Sequence, residues 1–305
     1  MNSAKRVAGV FSPVVTPFNS DLQPDAARLV KHCRWLLSQD VGLAVFGTNS
    51  EANSMSVAEK SRLLDALIKA GIPADRLMPG TGCCALTDTV ELTRHALQHG
   101  VGRVLMLPPF YYKGASDDGL YASFSEVIQR VGDERLGIYL YHIPQVSQVP
   151  ITLNLIERLL KAYPTAIAGI KDSSGDWSNT DAMLKQFQPQ GFDVFAGSER
   201  FLLATLRGGG AGCITATGNV NPGPIARLYK SWRQADADKQ QQTLSDTRSL
   251  FEKFSMIPAL KAAVAHFAKD PDWALVRPPL VSLNKQQSDA LATSLEAHGF
   301  SMPGL

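Results

Sequence analysis

A lysine at the end of one apolar run is the clearest chemical signal in the sequence. Residues 166–170 are small or apolar and lead directly into Lys171, and residues 172–175 have the composition of a turn and a helix start. A short apolar run between turn signals is typical of a buried strand. A lysine in a low-dielectric site has a lowered pKa and can present the neutral amine that Schiff-base chemistry needs. The alternative is that Lys171 only ends the strand and reaches water with its long side chain.

Polar side chains follow several other apolar runs in the same way. If the apolar runs are strands of a (β/α)₈ barrel, these side chains are expected to share one face, because the active site of such a barrel lies at the C-terminal ends of its strands. A tyrosine can pass protons, a threonine hydroxyl can relay between tyrosines, and backbone N–H groups at a turn can hold a carboxylate. The residues concerned are Thr48, Asn49, Ser50, Glu51, Tyr111, Tyr112, Tyr141, His142, Ser198, Glu199, Arg200, Thr215, Thr217 and Asn219.

The elements that must position these residues alternate along the chain. Apolar runs recur about every 30 residues, which is the size of a βα unit, and amphipathic segments lie between them. Ser56 and Glu59 form a capping-box pattern before one such segment. Strands are predicted at residues 7–15, 41–46, 77–80, 103–107, 137–141, 166–171, 192–196 and 213–217. Helices are predicted at residues 25–39, 87–99, 117–130, 153–162, 176–187, 201–207 and 222–233, with one more after Ser56.

Eight such units in series predict an α/β protein with a (β/α)₈ barrel over residues 1–235. Helical patterning at 244–254, 257–267 and 285–297 predicts a C-terminal extension, residues 236–305, that packs on the barrel. The alternative is an open doubly wound sheet. The absence of a G-x-G-x-x-G pattern after the first strand favours the barrel.

The composition excludes several classes of protein. Of 305 residues, 45% are hydrophobic and 19% charged, so the chain can bury a large core. A net charge of +2 without blocks of like charge predicts no nucleic-acid or membrane partner. The four cysteines form no C-x-x-C pair, which argues against a disulfide framework or a zinc site. Residues 1–6 lack the apolar stretch of a signal peptide, so we expect a soluble cytoplasmic protein.

Six short motifs resemble those of the class I aldolase family that contains dihydrodipicolinate synthase and N-acetylneuraminate lyase. The match in type and order extends over nearly the whole chain. The motifs are GTNSE at 47–51, PFYY at 109–112, YHIP at 141–144, GIKD at 169–172, IPALK at 257–261 and RPPL at 277–280.

The resemblance implies a mechanism. It implies that Lys171 forms a Schiff base with a 2-oxo acid such as pyruvate, without a metal or an organic cofactor. It implies that Tyr141 moves protons and orients the substrate, and that Thr48 and Asn49 bind its carboxylate. Tyr111 would complete a proton relay with Thr48 and Tyr141, although Tyr112 could take that place. Family members are commonly homotetramers, so a homo-oligomer, tetramer or dimer, is expected.

The departures from the family pattern point to an unusual second substrate. Dihydrodipicolinate synthases have an arginine shortly after the YHIP-type motif, whereas residues 145–148 read QVSQ. Ser50 and His142 stand where the family has glycine and asparagine, and Ala216 replaces a hydroxyl used by sialic-acid lyases. His142 is as consistent with a structural role as with acid–base work. Substrate-binding residues are expected to be Asn49, Ser50, His142, Ser173, Glu199, Arg200 and Ile214.

The sequence therefore predicts a Schiff-base lyase, an aldolase or dehydratase, that acts on a 2-oxo acid such as pyruvate or a 2-keto-3-deoxy sugar acid. The first alternative is 4-hydroxy-tetrahydrodipicolinate synthase activity on pyruvate and aspartate semialdehyde. A second alternative is a barrel that uses pyridoxal phosphate on Lys171. Against it, the sequence has no recognisable phosphate-binding loop. A non-catalytic binding protein would not need Lys171, Tyr141 and Thr48 together.

Overall fold

The computed structural model describes residues 7–305 and shows an α/β fold. The predictions made for residues 1–6 lie outside the described residues. Within 7–305 the seven strands are β1 (Gly9–Ser12), β2 (Gly42–Leu43), β3 (Arg103–Met106), β4 (Gly137–His142), β5 (Ile167–Asp172), β6 (Asp193–Ala196) and β7 (Gly212–Ile214).

The same described range contains twelve α-helices. They are α1 (Ala26–Ser38), α2 (Val57–Lys69), α3 (Leu86–Gln98), α4 (Asp117–Val131), α5 (Pro144–Ser147), α6 (Leu153–Ala162), α7 (Trp177–Phe187), α8 (Leu202–Arg207), α9 (Pro222–Ser231), α10 (Ala237–Phe251), α11 (Met256–Ala268) and α12 (Lys285–Ala297). None of the helices described is both long and apolar enough to cross a membrane.

The chain divides into two compact units. The first contains residues 7–9 and Pro73–Ile214, and the second contains Val10–Ile72 and Thr215–Leu305. The predicted division between residues 235 and 236 falls inside the second unit. It therefore stays a prediction about how the helical extension is organised.

Five parallel strands, β3 to β7, follow one another in chain order in the first unit. Gly169 of β5 permits close packing, because a Cβ atom there would lie 2.3 Å from the carbonyl oxygen of Asp193 and 2.7 Å from the Tyr139 ring. The Tyr139 hydroxyl donates to the Asp193 carboxylate at 2.9 Å. Burial and this carboxylate raise the pKa of Tyr139. These contacts fix the strand that leads to Lys171.

The prediction of a third strand at residues 77–80 is wrong. Leu77 and Gly80 are isolated bridge residues there, and the Gly80 bridge joins Leu105. Its hydrogen bonds run from Thr81 N–H to the Leu105 carbonyl, 3.1 Å, and from Leu105 N–H to the Pro79 carbonyl, 2.9 Å. Because Pro79 has no N–H to donate, a longer ladder cannot form on that side.

The helices of the first unit follow from amphipathic patterns and capping residues. In α6 the apolar residues Leu155, Ile156 and Leu159 are buried, and the Thr152 hydroxyl accepts the Leu155 N–H at 3.0 Å. Asp176 caps α7 through the Ser178 N–H at 2.9 Å. The predictions for these helices are confirmed within one residue. The short helix α5 was missed, although Pro144 at its first position is a known helix-start signal.

The second unit contains β1 from Val10 onward and β2, which pair in parallel, together with α1, α2 and α9 to α12. The capping box of Ser56 and Glu59 is confirmed at the start of α2. The three predicted C-terminal helices are present as α10, α11 and α12, and α11 packs against α12. Helix α10 begins seven residues earlier than its apolar pattern indicated, at Ala237 rather than 244.

Several strands are shorter than predicted, and the loss at β1 and β7 has a common reason. The side chain of Asn219, in the turn after β7, makes hydrogen bonds to the backbone where strand-to-strand hydrogen bonds were expected. Its Oδ1 accepts the Val15 N–H at 2.9 Å, and its Nδ2 donates to the Pro13 carbonyl at 3.0 Å. The chain around Val15 is thus held without strand pairing, and the predicted strand 213–217 ends at Ile214.

Candidate active site

Lys171 is the next-to-last residue of β5, which lies between β4 and β6. In register it faces Tyr141 of β4 and Phe195 of β6. Its side chain is buried, with 3% exposure, and its Nζ lies 4.2 Å from the centroid of the Tyr141 ring. Among the described residues none forms a hydrogen bond or an ion pair with the Nζ of Lys171. A buried amine with an aromatic face beside it and no carboxylate partner is suited to attack a carbonyl carbon.

The residues that follow Lys171 hold the end of β5 in place. The Asp172 carboxylate accepts from the Ser174 N–H at 2.9 Å and from the Thr180 hydroxyl at 2.6 Å. The Ser173 N–H donates to the His142 carbonyl at 2.7 Å. Asp172 is therefore engaged in capping the turn after the strand. Ser173, predicted to bind substrate, lies beside the ends of both strands.

His142 is buried at the end of β4. Its Nδ1 accepts the backbone N–H of Ile151 at 3.0 Å, so the neutral ring carries its proton on Nε2. Burial lowers the pKa of His142, and the nearby Asp172 carboxylate opposes part of that shift. A pKa below the ordinary histidine value of about 6.5 makes His142 less suited to acid–base work near pH 7.

Gly197 and the turn after β6 lie close to the end of β5. The Gly197 N–H donates to the Asp172 carbonyl at 2.7 Å, and a Cβ atom on Gly197 would lie 2.1 Å from the Ser173 Oγ. Glu199 begins the 3₁₀ turn Glu199–Phe201 and is buried, whereas Arg200 is partly exposed. Ile214 is fully buried as the last residue of β7.

The two tyrosines after β3 are exposed. Tyr111 and Tyr112 are 74% and 79% exposed, and their rings meet edge to face at 5.3 Å. The described chain therefore does not bury Tyr111 with Lys171 and Tyr141, and its catalytic role remains a prediction.

Sequence reasoning missed a lysine that fixes the segment carrying these tyrosines. The Lys113 Nζ donates to the carbonyl oxygens of Phe110, at 2.5 Å, and Ser147, at 2.8 Å. It thereby ties the segment to the end of α5. Its position directly after the PFYY motif was the available signal.

In the second unit, Thr48, Asn49 and Ser50 form a 3₁₀ turn after Gly47. Thr48 and Asn49 are partly exposed, which leaves them accessible to a ligand. The Ser50 side chain is fully buried, and its Oγ accepts the Gly47 N–H at 3.2 Å. The Ser50 hydroxyl is thus used inside the turn. Its expected role in substrate binding stays a prediction.

Comparison with known proteins gives the family. The Dihydrodipicolinate synthetase family model matches residues 6–298. The chain belongs to the dihydrodipicolinate synthetase family. Proteins of this family are class I aldolases and lyases, and the protein is accordingly an enzyme of this class.

Individual relatives cover nearly the whole chain. An "Uncharacterized DapA-like lyase" of Chloroflexus aurantiacus is 38% identical over 94% of this chain and 96% of its own length. The crystal structure of dihydrodipicolinate synthase from Agrobacterium tumefaciens is 31% identical, with a TM-score of 0.87 over 95% of this chain and 98% of that one. A prophage protein of the same family from E. coli K12, solved in complex with pyruvate, is 27% identical, with a TM-score of 0.87 over 96% and 99%.

Proposed function

We propose that the protein is a Schiff-base lyase that acts on a 2-oxo acid, pyruvate or a 2-keto-3-deoxy sugar acid. The observation that carries this proposal is the state of Lys171, which is buried at a strand end beside the Tyr141 ring without a carboxylate partner. A buried ammonium group without an ion-pair partner is unfavourable for folding. A lysine at such a position is therefore better explained by chemistry than by stability.

The proposed reaction starts when the neutral Nζ of Lys171 attacks the ketone carbon of the 2-oxo acid. Loss of water gives a protonated imine, which accepts electrons from the neighbouring carbon. In an aldolase the C4 hydroxyl gives its proton to a base, the bond between C3 and C4 breaks, the aldehyde leaves, and an enamine remains on the lysine. In a dehydratase a proton leaves C3 and the C4 hydroxyl departs as water. In the aldolase the base returns its proton to C3 of the enamine, whereas the dehydratase is left with a conjugated imine, and hydrolysis by water regenerates the lysine in both.

The other residues are assigned by motif. Tyr141, whose ring lies against the lysine amine, is proposed to move protons to and from the intermediate. Thr48 and Asn49 are proposed to bind the substrate carboxylate, and Tyr111 to complete the relay. The proposed substrate-binding residues are Asn49, Ser50, His142, Ser173, Glu199, Arg200 and Ile214. Ser50 would act through the shape of its turn.

We also propose a fold and an assembly for the chain. The likeness to the Agrobacterium synthase supports a (β/α)₈ barrel for residues 1–235. We also propose a homo-oligomer, tetramer or dimer, and sedimentation equilibrium would measure its mass.

Reductive trapping tests the proposed chemistry. The protein is incubated with pyruvate and sodium borohydride, and its intact mass is measured. Wild type is expected to gain one 1-carboxyethyl group, the reduced pyruvate adduct, on Lys171, and Lys171→Ala to gain none. Lys185→Ala, which removes an exposed lysine of α7, is the matched control and should be trapped like wild type. No adduct on wild type, or an undiminished adduct on Lys171→Ala, would overturn the proposal.

A second candidate is 4-hydroxy-tetrahydrodipicolinate synthase activity, which the 31% identity to the Agrobacterium enzyme favours. Against it, residues 145–148 contain no arginine, and Val146 in that segment is an exposed apolar residue. Turnover of pyruvate with aspartate semialdehyde would support the synthase. Pyruvate release from, or dehydration of, a panel of 2-keto-3-deoxy acids would support the lyase.

A further inference from the structure

A second buried lysine lies in the other unit. The Nζ of Lys261 in α11 donates to Oε1 of Glu51 at 2.7 Å, and both side chains are completely buried. Glu51 directly follows the turn Thr48–Ser50 and adopts a left-handed backbone, with φ of 56°. The ion pair therefore fixes the residue at which this turn ends.

Arg277 completes the attachment of Glu51. Its backbone N–H donates to Oε2 of Glu51 at 2.8 Å. Its guanidinium donates to the carbonyl oxygens of Leu22 and Ser54, each at 2.7 Å, and forms an ion pair with Glu59. Both oxygens of the Glu51 carboxylate are thus occupied by groups of the C-terminal part of the chain.

An aromatic ring supports both cations. The Lys261 Nζ lies 4.4 Å and the guanidinium carbon of Arg277 4.9 Å from the centroid of the Phe18 ring. Cations near an aromatic face are attracted by the ring quadrupole. The ring adds to the constraint on the two groups that hold Glu51.

The turn is also held from its other side. The Thr16 hydroxyl donates to the Ser50 carbonyl at 2.8 Å, and the Ala52 N–H donates to the Gly47 carbonyl at 3.2 Å. Thr48 and Asn49 are consequently the exposed part of a turn whose two ends are fixed.

Stability alone does not account for this ion pair. Taking both charges out of water costs as much as their attraction returns, and hydrophobic replacements are often neutral or better. We propose that Glu51 and Lys261 are positioning residues that hold Thr48 and Asn49 in the geometry that binds the substrate carboxylate. This inference rests on the proposed function, in which those two residues contact the 2-oxo acid.

The test separates substrate affinity from the chemical step. The rate of borohydride trapping is measured against pyruvate concentration in wild type, Glu51→Gln and Lys261→Met. A misplaced carboxylate site weakens binding but leaves the Lys171 amine unchanged. We expect the half-saturating pyruvate concentration to rise roughly tenfold, equivalent to about 1.4 kcal/mol, with the maximal rate per folded molecule within about twofold of wild type.

Arg28→Met is the matched control. Arg28 forms an ion pair with Asp270 at 2.7 Å in the same unit and does not contact residues 47–51. We expect this variant to lose stability but to keep the wild-type half-saturating concentration. An unchanged value in folded Glu51→Gln and Lys261→Met, or an equal rise in Arg28→Met, would overturn the inference.

A milder variant decides the matter if the first two do not fold. Arg277→Lys keeps the backbone N–H bond to Glu51 but loses the guanidinium contacts. A rise of a few-fold in the half-saturating concentration supports positioning, and an unchanged value contradicts it. The proposed function fails differently, because wild type would then form no adduct at any pyruvate concentration.

Discussion

Lys171 of the first unit and Lys261 of the second are both buried, and they differ in their partners. Lys171 and Lys261 each have an amine near an aromatic ring, Tyr141 at 4.2 Å and Phe18 at 4.4 Å. Lys261 also has a buried carboxylate, Glu51, at 2.7 Å. No described residue forms an ion pair with Lys171. Burial is common to both, so the counter-ion distinguishes the lysine suited to covalent chemistry from the one suited to holding a turn.

The electrostatics of Lys261 agree with this distinction. Burial lowers the pKa of Lys261 to about 8, and the attraction of Glu51 opposes the shift. At pH 7 the carboxylate therefore keeps Lys261 as an ammonium group whose hydrogen bond is occupied. An amine in that state has no lone pair for a carbonyl carbon.

The largest expected effect is on activity and comes from Lys171→Met. This change removes the proposed nucleophile, so turnover and borohydride trapping should both be lost. Because the removed amine has no ion-pair partner among the described residues, unfolding in urea should show a free energy no lower than that of wild type. Loss of stability together with activity would mean that Lys171 supports the fold, and the contrast with Lys261 would disappear.

The next largest effect is on stability and comes from Lys261→Met. It leaves the Glu51 carboxylate buried without its cation, which should cost about 3–5 kcal/mol in the free energy of unfolding. Urea denaturation followed by circular dichroism measures this. The double variant Glu51→Gln/Lys261→Met removes the uncompensated charge and should regain at least half of the loss. A double variant as unstable as Lys261→Met would show that packing, and not charge, is responsible.

The sequence predicted local features well because they depend on neighbouring residues. The capping box of Ser56 and Glu59, the bounds of α12 and the position of Lys171 at a strand end all follow from short patterns. The contact of Glu51 with Lys261 joins residues 210 positions apart. The GTNSE and IPALK motifs that contain them were each recognised, but the motifs alone do not show that these two residues meet. The exposure of Tyr111 and the bond at Nδ1 of His142 likewise depend on packing that no local pattern encodes.

The smallest predicted effect concerns His32 of α1, a buried base for which no described residue is a carboxylate partner. Its ring is fully buried against the rings of Trp35 and Trp273, at 5.5 and 5.1 Å. Burial lowers its pKa to about 4, and the Asn219 amide opposes part of the shift. Where Lys261 keeps its proton because Glu51 is present, His32 loses its proton because burial disfavours the charged ring.

The sign of the pH dependence follows from that value. Unfolding lets His32 take up a proton between pH 6.5 and pH 4, so its contribution to stability is complete above pH 6.5 and is lost as the pH falls toward 4. Between pH 7 and pH 5 wild type should lose about 2 kcal/mol through this residue. Urea unfolding of His32→Gln at both pH values should show a drop smaller by that amount. Since His142 is present in both proteins, its own titration cancels, and an equal drop would mean that His32 reaches water in the folded protein.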